Sequence, residues 1–546
     1  MSFRDSLARN FAGGPPFRIR ADRLLVEVNS DSNLTSIAQQ GIEERPDILQ
    51  DRPVPRRKLS KLQAEVRRLG FNVERLENLG MLVAETGEVA DVVSNIQDQR
   101  DTFSNNVSNR LEQVQTRAEK REPRTVLGAF SPGMNFGQDD DNIPDDLDLE
   151  AALRSQLISS NLKNPITDAI TELEGVANVE LSFSRNTFGP RNLNVDVDAL
   201  SSFLDIFEES PDADSPELPT VKNVRDKMGV PDAWENSTGE GVIIAVFDTA
   251  FCREFLDGGR LIDSFSGPDA DNAFSDPEEG HGTMCAVSAA GNTEEGAPVN
   301  GIAKDAELLL ARTTNSSGEL VYIEEAWDWL IGHVKDTDKP VISSHSYGVP
   351  LCSGRTMDLC DATSTKVVRA ANKREDHQAL FAAGNEALYC GHRLGGMTNG
   401  IMGPNSDPSS IAVGALRFDL RDAQNYSSHG FGTCSNLNNN PKPDVSCMLP
   451  SLIPYGCEVK DMSTSRGGSA GGTSEATPLT AGVAGLLASI TGTAKRGEIE
   501  SILESTARQP RPTQLNLVSG FDARFGHGQV RADDAVDEAL SRVQMS

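Results

Sequence analysis

The stretch GVIIAVFD, residues 241–248, decides the fold. It is an apolar run with β-branched residues, the pattern of a strand buried on both faces. Similar runs recur at ELLLAR (307–312), PVISSHS (340–346), ALFAAG (379–384) and SIAVGAL (410–416). Helical periodicity lies between several of them, at Glu324–Val334 and Thr365–Lys373. Strands alternating with helices predict a doubly wound, mostly parallel α/β sheet with helices on both faces. Ligand sites in such sheets sit at the carboxyl ends of strands. Asp248 and the Gly-Asn pair of AAGN (382–385) both fall at such ends.

Three short segments carry the candidate chemistry. AVFDTA (245–250) ends a buried strand on an acid. EGHGTMCA (279–286) sets a histidine before small residues, and GGTSEATPLTAGVAGLL (471–487) sets a serine at a Gly-rich turn leading into a small-residue helix. A serine hydroxyl is a weak nucleophile until a base takes its proton. Histidine titrates near neutrality and suits that task. A buried carboxylate fixes the imidazole tautomer and stabilises the imidazolium. Asp248, His281 and Ser474 are therefore the candidate triad. Asn385, in AAGNE (382–386), is the candidate oxyanion donor beside the Ser474 backbone N–H at a helix N-terminus.

Taken in chain order, these four segments resemble the motifs of the subtilase family of serine peptidases (peptidase S8). The resemblance runs from about Val221 to Val536. VRDKMGVPDAWENSTGEGV (224–242) is similar to the entry into the mature enzyme, and FGHGQVRADDAV (525–536) to its closing segment. The resemblance implies a subtilisin-like fold and a serine endopeptidase working through an acyl-enzyme on Ser474. It implies a protein or peptide substrate held as an added strand. Ser317 and Gly318, in SSGEL (316–320), would pair with it. Ser346, Tyr347 and Gly348 would form one wall of the primary pocket, and Ala382, Ala383 and Gly384 the other. No cofactor is required for the chemistry. Structural calcium is an option that the family carries, with Asp257 in a position like that of one ligand.

Departures are visible. Thr249-Ala250 follows the acid where Thr/Ser-Gly is usual. Glu475 stands where the serine motif has methionine, and a charge there would act on His281 or on specificity. Cys285 resembles the kexin branch, but acidic pocket residues of that branch are not evident after Gly348. The Asn- and Cys-bearing stretch 432–457 reads as an inserted loop. A catalytically silent binding or scaffold protein on the same fold is the alternative from another class, and the four intact positions speak against it. A sedolisin-type acid protease would use Glu as base, which His281 opposes. The remaining histidines (His333, His345, His377, His392, His429 and His527) read as structural or surface residues. His345 is set apart by its place beside the pocket strand.

The front of the chain reads differently. RLLVEV (23–28) is a strand pattern, Lys58–Leu69 a helix, Phe71–Leu76 with Met81–Glu85 a hairpin, and Val89–Ile96 a second helix. ITDAITELEGVANVELSFSR (166–185) reads as helix, turn and strand. Residues 98–160, with the acidic run QDDDNIPDDLDLE (138–150), read as a polar insertion. The expected organisation is an α+β domain over 1–207, an acidic linker over 208–220 containing EESPDADSPELP, and a catalytic domain over 221–546. The first of these resembles the family's propeptide, a possible intramolecular inhibitor; a permanent regulatory domain is the competing reading. Exposed acidic, Pro-bearing linkers are where nicking concentrates, so self-cleavage is expected near 208–220.

Composition narrows the partners. Lys and Arg total 51 against 81 Asp and Glu, a net charge of -30, which argues against nucleic acid and anionic membranes. The same acidity suits either a high-salt habitat or acidic linkers on an ordinary protein. The opening residues MSFRDSLARNFAGGPPFRIR lack an apolar leader run, so the reading is cytoplasmic, or exported by a route without a readable signal peptide. Of the eight cysteines, Cys352 and Cys360 flank one loop, and Cys390, Cys434, Cys447 and Cys457 sit in loop-like sequence suited to pairing.

Overall fold

In the computed structural model, residues 220–545 are described except for intervening loops, chiefly 276–279, 292–300, 315–319, 349–359, 388–400, 435–440, 462–471 and 511–515. Ahead of them, residues 19–28, 56–85 apart from short turns, 176–183 and 186–187 are described. The expected helices at 89–96 and 166–175, the polar insertion and the acidic linker through Pro219 lie outside the described residues. The chain divides into two compact units, one chiefly Val54–Ser182 with Ile19–Ala38, the other chiefly Phe183–Ser546.

The front unit is a four-stranded sheet in the order β2-β3-β1-β4. Its strands are β1 (Ile19–Val28), β2 (Asn72–Leu76), β3 (Met81–Glu85) and β4 (Val176–Phe183). Helix α1 (Arg56–Arg68) buries Leu59, Leu62 and Val66, spaced so that one stripe faces inward. Phe71, Val73, Leu76, Leu79 and Met81 through Ala84 add to that core. The hairpin register pairs Leu76 with Met81 and Asn72 with Glu85.

The second unit is built on a seven-stranded sheet in the order β15-β12-β11-β9-β6-β8-β7, every neighbouring pair parallel. These are β6 (Ile243–Asp248), β7 (Leu261–Ser266), β8 (Glu307–Arg312), β9 (Val341–His345), β11 (His377–Ala382), β12 (Ile411–Leu416) and β15 (Val445–Met448). Every residue of β6 is buried, as its uninterrupted apolar pattern requires. Two-stranded pairs join β5 (Asn186–Thr187) with β10 (Tyr347–Gly348), β13 (Gly430–Phe431) with β14 (Pro441–Lys442), and β16 (Leu452–Tyr455) with β17 (Glu458–Asp461).

The inserted-loop reading of 432–457 fails at its centre. Val445–Met448 is a buried edge strand of the main sheet, its register running Val413↔Val445 to Leu416↔Met448. Its sequence, VSCM, is too short to stand out among the polar residues around it.

Helices cover the sheet: α2 (Val221–Met228), α3 (His281–Ala290), α4 (Ile323–Asp336), α5 (Thr363–Ala371), α6 (Thr473–Thr491), α7 (Arg496–Thr506) and α8 (Ala532–Met545). Thr220 begins α2 with a reciprocal capping box to Asn223. Helix α6 is buried along its first sixteen residues, Thr473 to Ala488. Its Gly482 lets α3 come close, because a Cβ there would meet the Ala289 carbonyl at 2.7 Å. No helix among the described residues is long and apolar enough to cross a membrane.

The chain passes from β8 over β6 to β9, so the winding reverses beside β6. Asp248 ends β6 and Ser346 follows β9, which puts both at the switch point where such sheets open a crevice.

Among the described residues, disulfides bond Cys252 to Cys457 and Cys360 to Cys434. Cys447, expected to pair, is instead a buried free thiol on β15, and Cys285 is the other buried free thiol. Cys352 and Cys390 lie outside the described residues.

Candidate active site

Asp248 and His281 are brought together from elements 33 residues apart. His281 is the first residue of α3, and its Nδ1 lies 2.6 Å from Asp248 Oδ1, with both side chains buried. Asp248 Oδ1 also accepts the Thr249 N–H at 2.7 Å. The small residues after the histidine have a steric cause. A Cβ at Gly282 would sit 2.7 Å from the Ala250 carbonyl, so only glycine lets α3 start against the end of β6. Thr249 Oγ1 then accepts the Gly282 N–H at 2.9 Å and caps the helix start.

Ser474 is the second residue of α6 and is fully buried. Pro478, four residues on, has no N–H to offer the Ser474 carbonyl. That carbonyl instead accepts the Ser346 hydroxyl at 2.7 Å and the Cys285 thiol at 3.4 Å. The TP of the serine motif thus ties the nucleophile's backbone to the pocket strand and to the histidine helix. In return Ser474 Oγ donates to the Ser346 carbonyl at 3.2 Å. His281 Nε2 is buried with no hydrogen-bond partner among the described residues.

Asn385 follows β11 across Gly384, whose φ of 109° is a glycine conformation. Asn385 Oδ1 accepts both the Thr473 N–H and the Thr473 hydroxyl, each at 3.0 Å. Thr473 Oγ1 accepts the Gly384 N–H at 3.1 Å. This clip fixes the amide's orientation with its oxygen toward α6, which makes Nδ2 the donor end. Thr473 was not singled out in the sequence; its place inside the serine motif was the signal.

Glu475 is not the charge its position suggests. It is wholly buried, and burial pushes its carboxyl well above the usual range, against the smaller opposing effect of Ser288. The Ser288 hydroxyl lies 3.5 Å from Oε1, and Oε2 has no hydrogen-bond partner among the described residues. The group is a neutral acid packed between α6 and α3. Its linkage has a definite sign. Folding raises the pKa, so its contribution to stability is full below the unfolded value of 4.5 and is lost as pH rises toward the folded value. The expected slope is a loss of about 1.4 kcal/mol per pH unit in that interval. Glu475→Gln should flatten it, read as urea midpoints from about pH 5 to about pH 8.

The residues expected to line the pocket lie at the ends of β9 and β11. Ser346 and Ala383 are buried, and Tyr347 is 2% exposed. The Tyr347 hydroxyl meets His345 Nδ1 at 2.9 Å, and His345 Nε2 meets Ser343 Oγ at 2.8 Å. His345 stacks between Trp327 and Phe381 at 4.8 and 4.5 Å, so it is a core histidine that anchors the wall. Behind it His377, held at about 4 by burial, stays neutral against Ser343. Ser317 and Gly318 lie outside the described residues; the chain re-enters at a bridge between Thr314 and Leu320.

Among the described residues, two triplets hold metal-ligand atoms within 4.8 Å of one another. In Asp248, His281 and Cys285, the imidazole nitrogen is committed to the carboxylate, and burial pushes the thiol well up, keeping it protonated. In Asp444, Glu500 and Glu504, the buried Lys442 ammonium already lies 2.6 and 2.9 Å from the Asp444 oxygens. Glu504 is pushed up to about 8, by burial first and then by Asp444 and Glu500. A cation is already in place and one acid is largely protonated at neutral pH, so this set does not fit calcium. Asp257 lies outside the described residues.

Residues 239–528 match the model of the subtilase family, peptidase S8. A "Calcium-dependent protease" of a Nostoc species is 28% identical over 351 residues, covering 58% of this chain and 49% of that protein. The alignment thus spans about half of that relative's length. "Serine protease AprX" of Bacillus subtilis is 28% identical, covering 55% of this chain and 67% of that protein. "Thermitase" of Thermoactinomyces vulgaris is 29% identical, covering 57% and 94%. Among solved structures, fervidolysin from Fervidobacterium pennivorans, described as a keratinolytic enzyme related to subtilisin, superposes with a TM-score of 0.53 at 15% identity. That match covers 95% of this chain and 61% of that one. The likeness is one of fold.

Proposed function

The chain belongs to the subtilase family, and from that premise we propose that it is a serine endopeptidase hydrolysing protein or peptide substrates. The observation that carries the reading is the buried 2.6 Å contact between His281 Nδ1 and Asp248 Oδ1, beside Ser474 at the start of α6.

The residues take the following roles. With substrate bound, the Ser474 hydroxyl turns from the Ser346 carbonyl to His281 Nε2, a hydrogen bond of the kind that free enzymes commonly leave unmade. Ser474 Oγ attacks the scissile carbonyl carbon as its proton passes to Nε2. The carbonyl π pair moves onto oxygen, where the Ser474 N–H and Asn385 Nδ2 meet it. A donor of this kind is worth roughly 2.7–4 kcal/mol of transition-state stabilisation, a scale that comes from subtilisin. His281 then gives the proton to the departing amine nitrogen as the C–N bond breaks. Water repeats the sequence on the acyl-enzyme and regenerates Ser474. Asp248 holds the Nδ1–H tautomer throughout.

The peptidase is restrained by its own chain. Strand β5 pairs antiparallel with β10, Thr187 against Tyr347 and Asn186 against Gly348. This is the edge on which a peptide substrate would lie, so the segment excludes another peptide while it stays. Residues 188–219 lie outside the described residues. A cut in the stretch soon after Thr187, which leaves the pairing edge, is expected first, rather than one in 208–219.

Intact mass of the purified chain, with and without a fluorophosphonate, tests both readings beside Ser474→Ala. The expected result is one adduct on the wild type, a cut soon after Thr187, and an unlabelled, full-length mutant. A cut within 208–219 would make the acidic linker the processing site. A labelled, full-length wild type would favour a permanent regulatory domain. No adduct on a folded wild type at low or high salt would refute activity in this form.

A further inference from the structure

The walls of the pocket belong to neighbouring strands that part company at a defined point. The β9–β11 ladder runs from Val341↔His377 to His345↔Phe381 and stops there. The next residues on each strand, Ser346–Gly348 and Ala382–Gly384, are the walls. A forked sheet leaves backbone carbonyls facing a gap, and a buried carbonyl without a donor costs about 1–3 kcal/mol. One side chain occupies this fork. Asn405, in the short 3-10 turn Gly403–Ser406, is 3% exposed. Its Nδ2 donates to the Tyr347 carbonyl at 2.9 Å and to the Ala382 carbonyl at 2.8 Å. Each amide hydrogen thus serves one wall, replacing the ladder bond that neither strand can make to the other.

We propose that Asn405 is a positioning residue for substrate selection: it sets the separation of the two walls and so determines which side chain the primary pocket accepts. The proposal rests on the peptidase reading above. The planar amide fixes the distance between the two carbonyls, and the walls project from that point. The Tyr347 wall is held a second time through its hydroxyl by His345. The Ala382 wall leads within three residues to Asn385. Asn405 touches none of the reacting atoms, so its loss should change discrimination rather than the reactivity of Ser474.

The test uses the full chain after any self-cleavage. A peptide series varies only the residue whose carbonyl is attacked, set to Ala, Leu or Phe. Asn405→Ala removes both donors. Asn405→Asp keeps the volume but turns oxygen toward both carbonyls. In each, the spread of kcat/KM across the series should shrink by at least about tenfold, chiefly through KM, with Asp no better than Ala. Labelling by a small fluorophosphonate, which places nothing in the pocket, should stay within about threefold of wild type. Asn405→Ser retains one donor and should lie between.

A spread preserved within about twofold in folded Asn405→Ala would overturn the proposal. So would labelling that falls in step with hydrolysis, which would mark general damage. If no variant folds, the wild type still decides: equal rates across the series would show that no selection exists for Asn405 to set. Absent labelling and hydrolysis in the wild type would sink the peptidase reading itself.

Discussion

Ser474→Ala should lower kcat on a short unstructured peptide by roughly 10⁶-fold, the scale known for subtilisin's own nucleophile. The effect should fall on kcat, because the walls and the pairing edge are built from backbone that the substitution leaves alone. Among the described residues Ser474 Oγ makes one hydrogen bond, to the Ser346 carbonyl, and its loss costs folding little. The Ser474 carbonyl keeps its partners on Ser346 and Cys285. Thermal stability should therefore stay close to wild type. Residual turnover of about 10³–10⁴ over water would remain from the oxyanion donors and binding. Equal turnover by mutant and wild type would mean that another group attacks.

Asp248→Asn should cost about 10⁴-fold in kcat with the fold preserved. The carboxylate accepts from Thr249 N and faces His281 Nδ1 through one oxygen. Both contacts fall on Oδ1, so an amide keeps them only with its oxygen in that place. If its oxygen serves Thr249, that same oxygen must also serve His281, and no negative charge remains to stabilise the imidazolium. If its nitrogen faces His281, the proton moves to Nε2 and the base is lost. Two buried partners stay within reach in either case, so the penalty falls on catalysis. A pH–rate profile separates the outcomes. Activity of the mutant should rise with pH wherever hydroxide substitutes for the missing base, and a profile identical to wild type would rule out the role.

The main sheet was legible because its strands are buried on both faces, and unbroken apolar runs such as IIAVFD have few other homes. The four site segments were legible because close packing forces small residues beside each functional one. Gly282 is required by the Ala250 carbonyl, and Gly384 by its own backbone. Features made by contact between distant parts were not legible. Asn405 lies between unremarkable neighbours and matters only because two strands diverge beside it. Glu475 reads as a charge until its surroundings are known to be dry. Val445–Met448 is four residues long, and cysteines 205 residues apart carry no spacing signal. Among the described residues of the front unit, the first strand, the first helix and the hairpin lie on their patterns, with β1 beginning four residues earlier, at Ile19.

The Cys252–Cys457 bond has a consequence for how long such a molecule lasts in company. A peptidase in concentrated solution is surrounded by copies able to digest it, and their attack is second order in protein. What a neighbour can cut is set by how often a stretch of chain comes loose. Cys252 lies four residues beyond Asp248, and Cys457 in the turn of the hairpin whose Tyr455 crowds Gly280, the residue before His281. The bond closes a loop spanning 205 residues, which in the chain-entropy picture removes about 5 kcal/mol of freedom from the opened state. The regions flanking the acid and the base are thus held together when either loosens. The half-life of concentrated enzyme would then be governed by whole-molecule unfolding rather than by fraying around its own catalytic cleft.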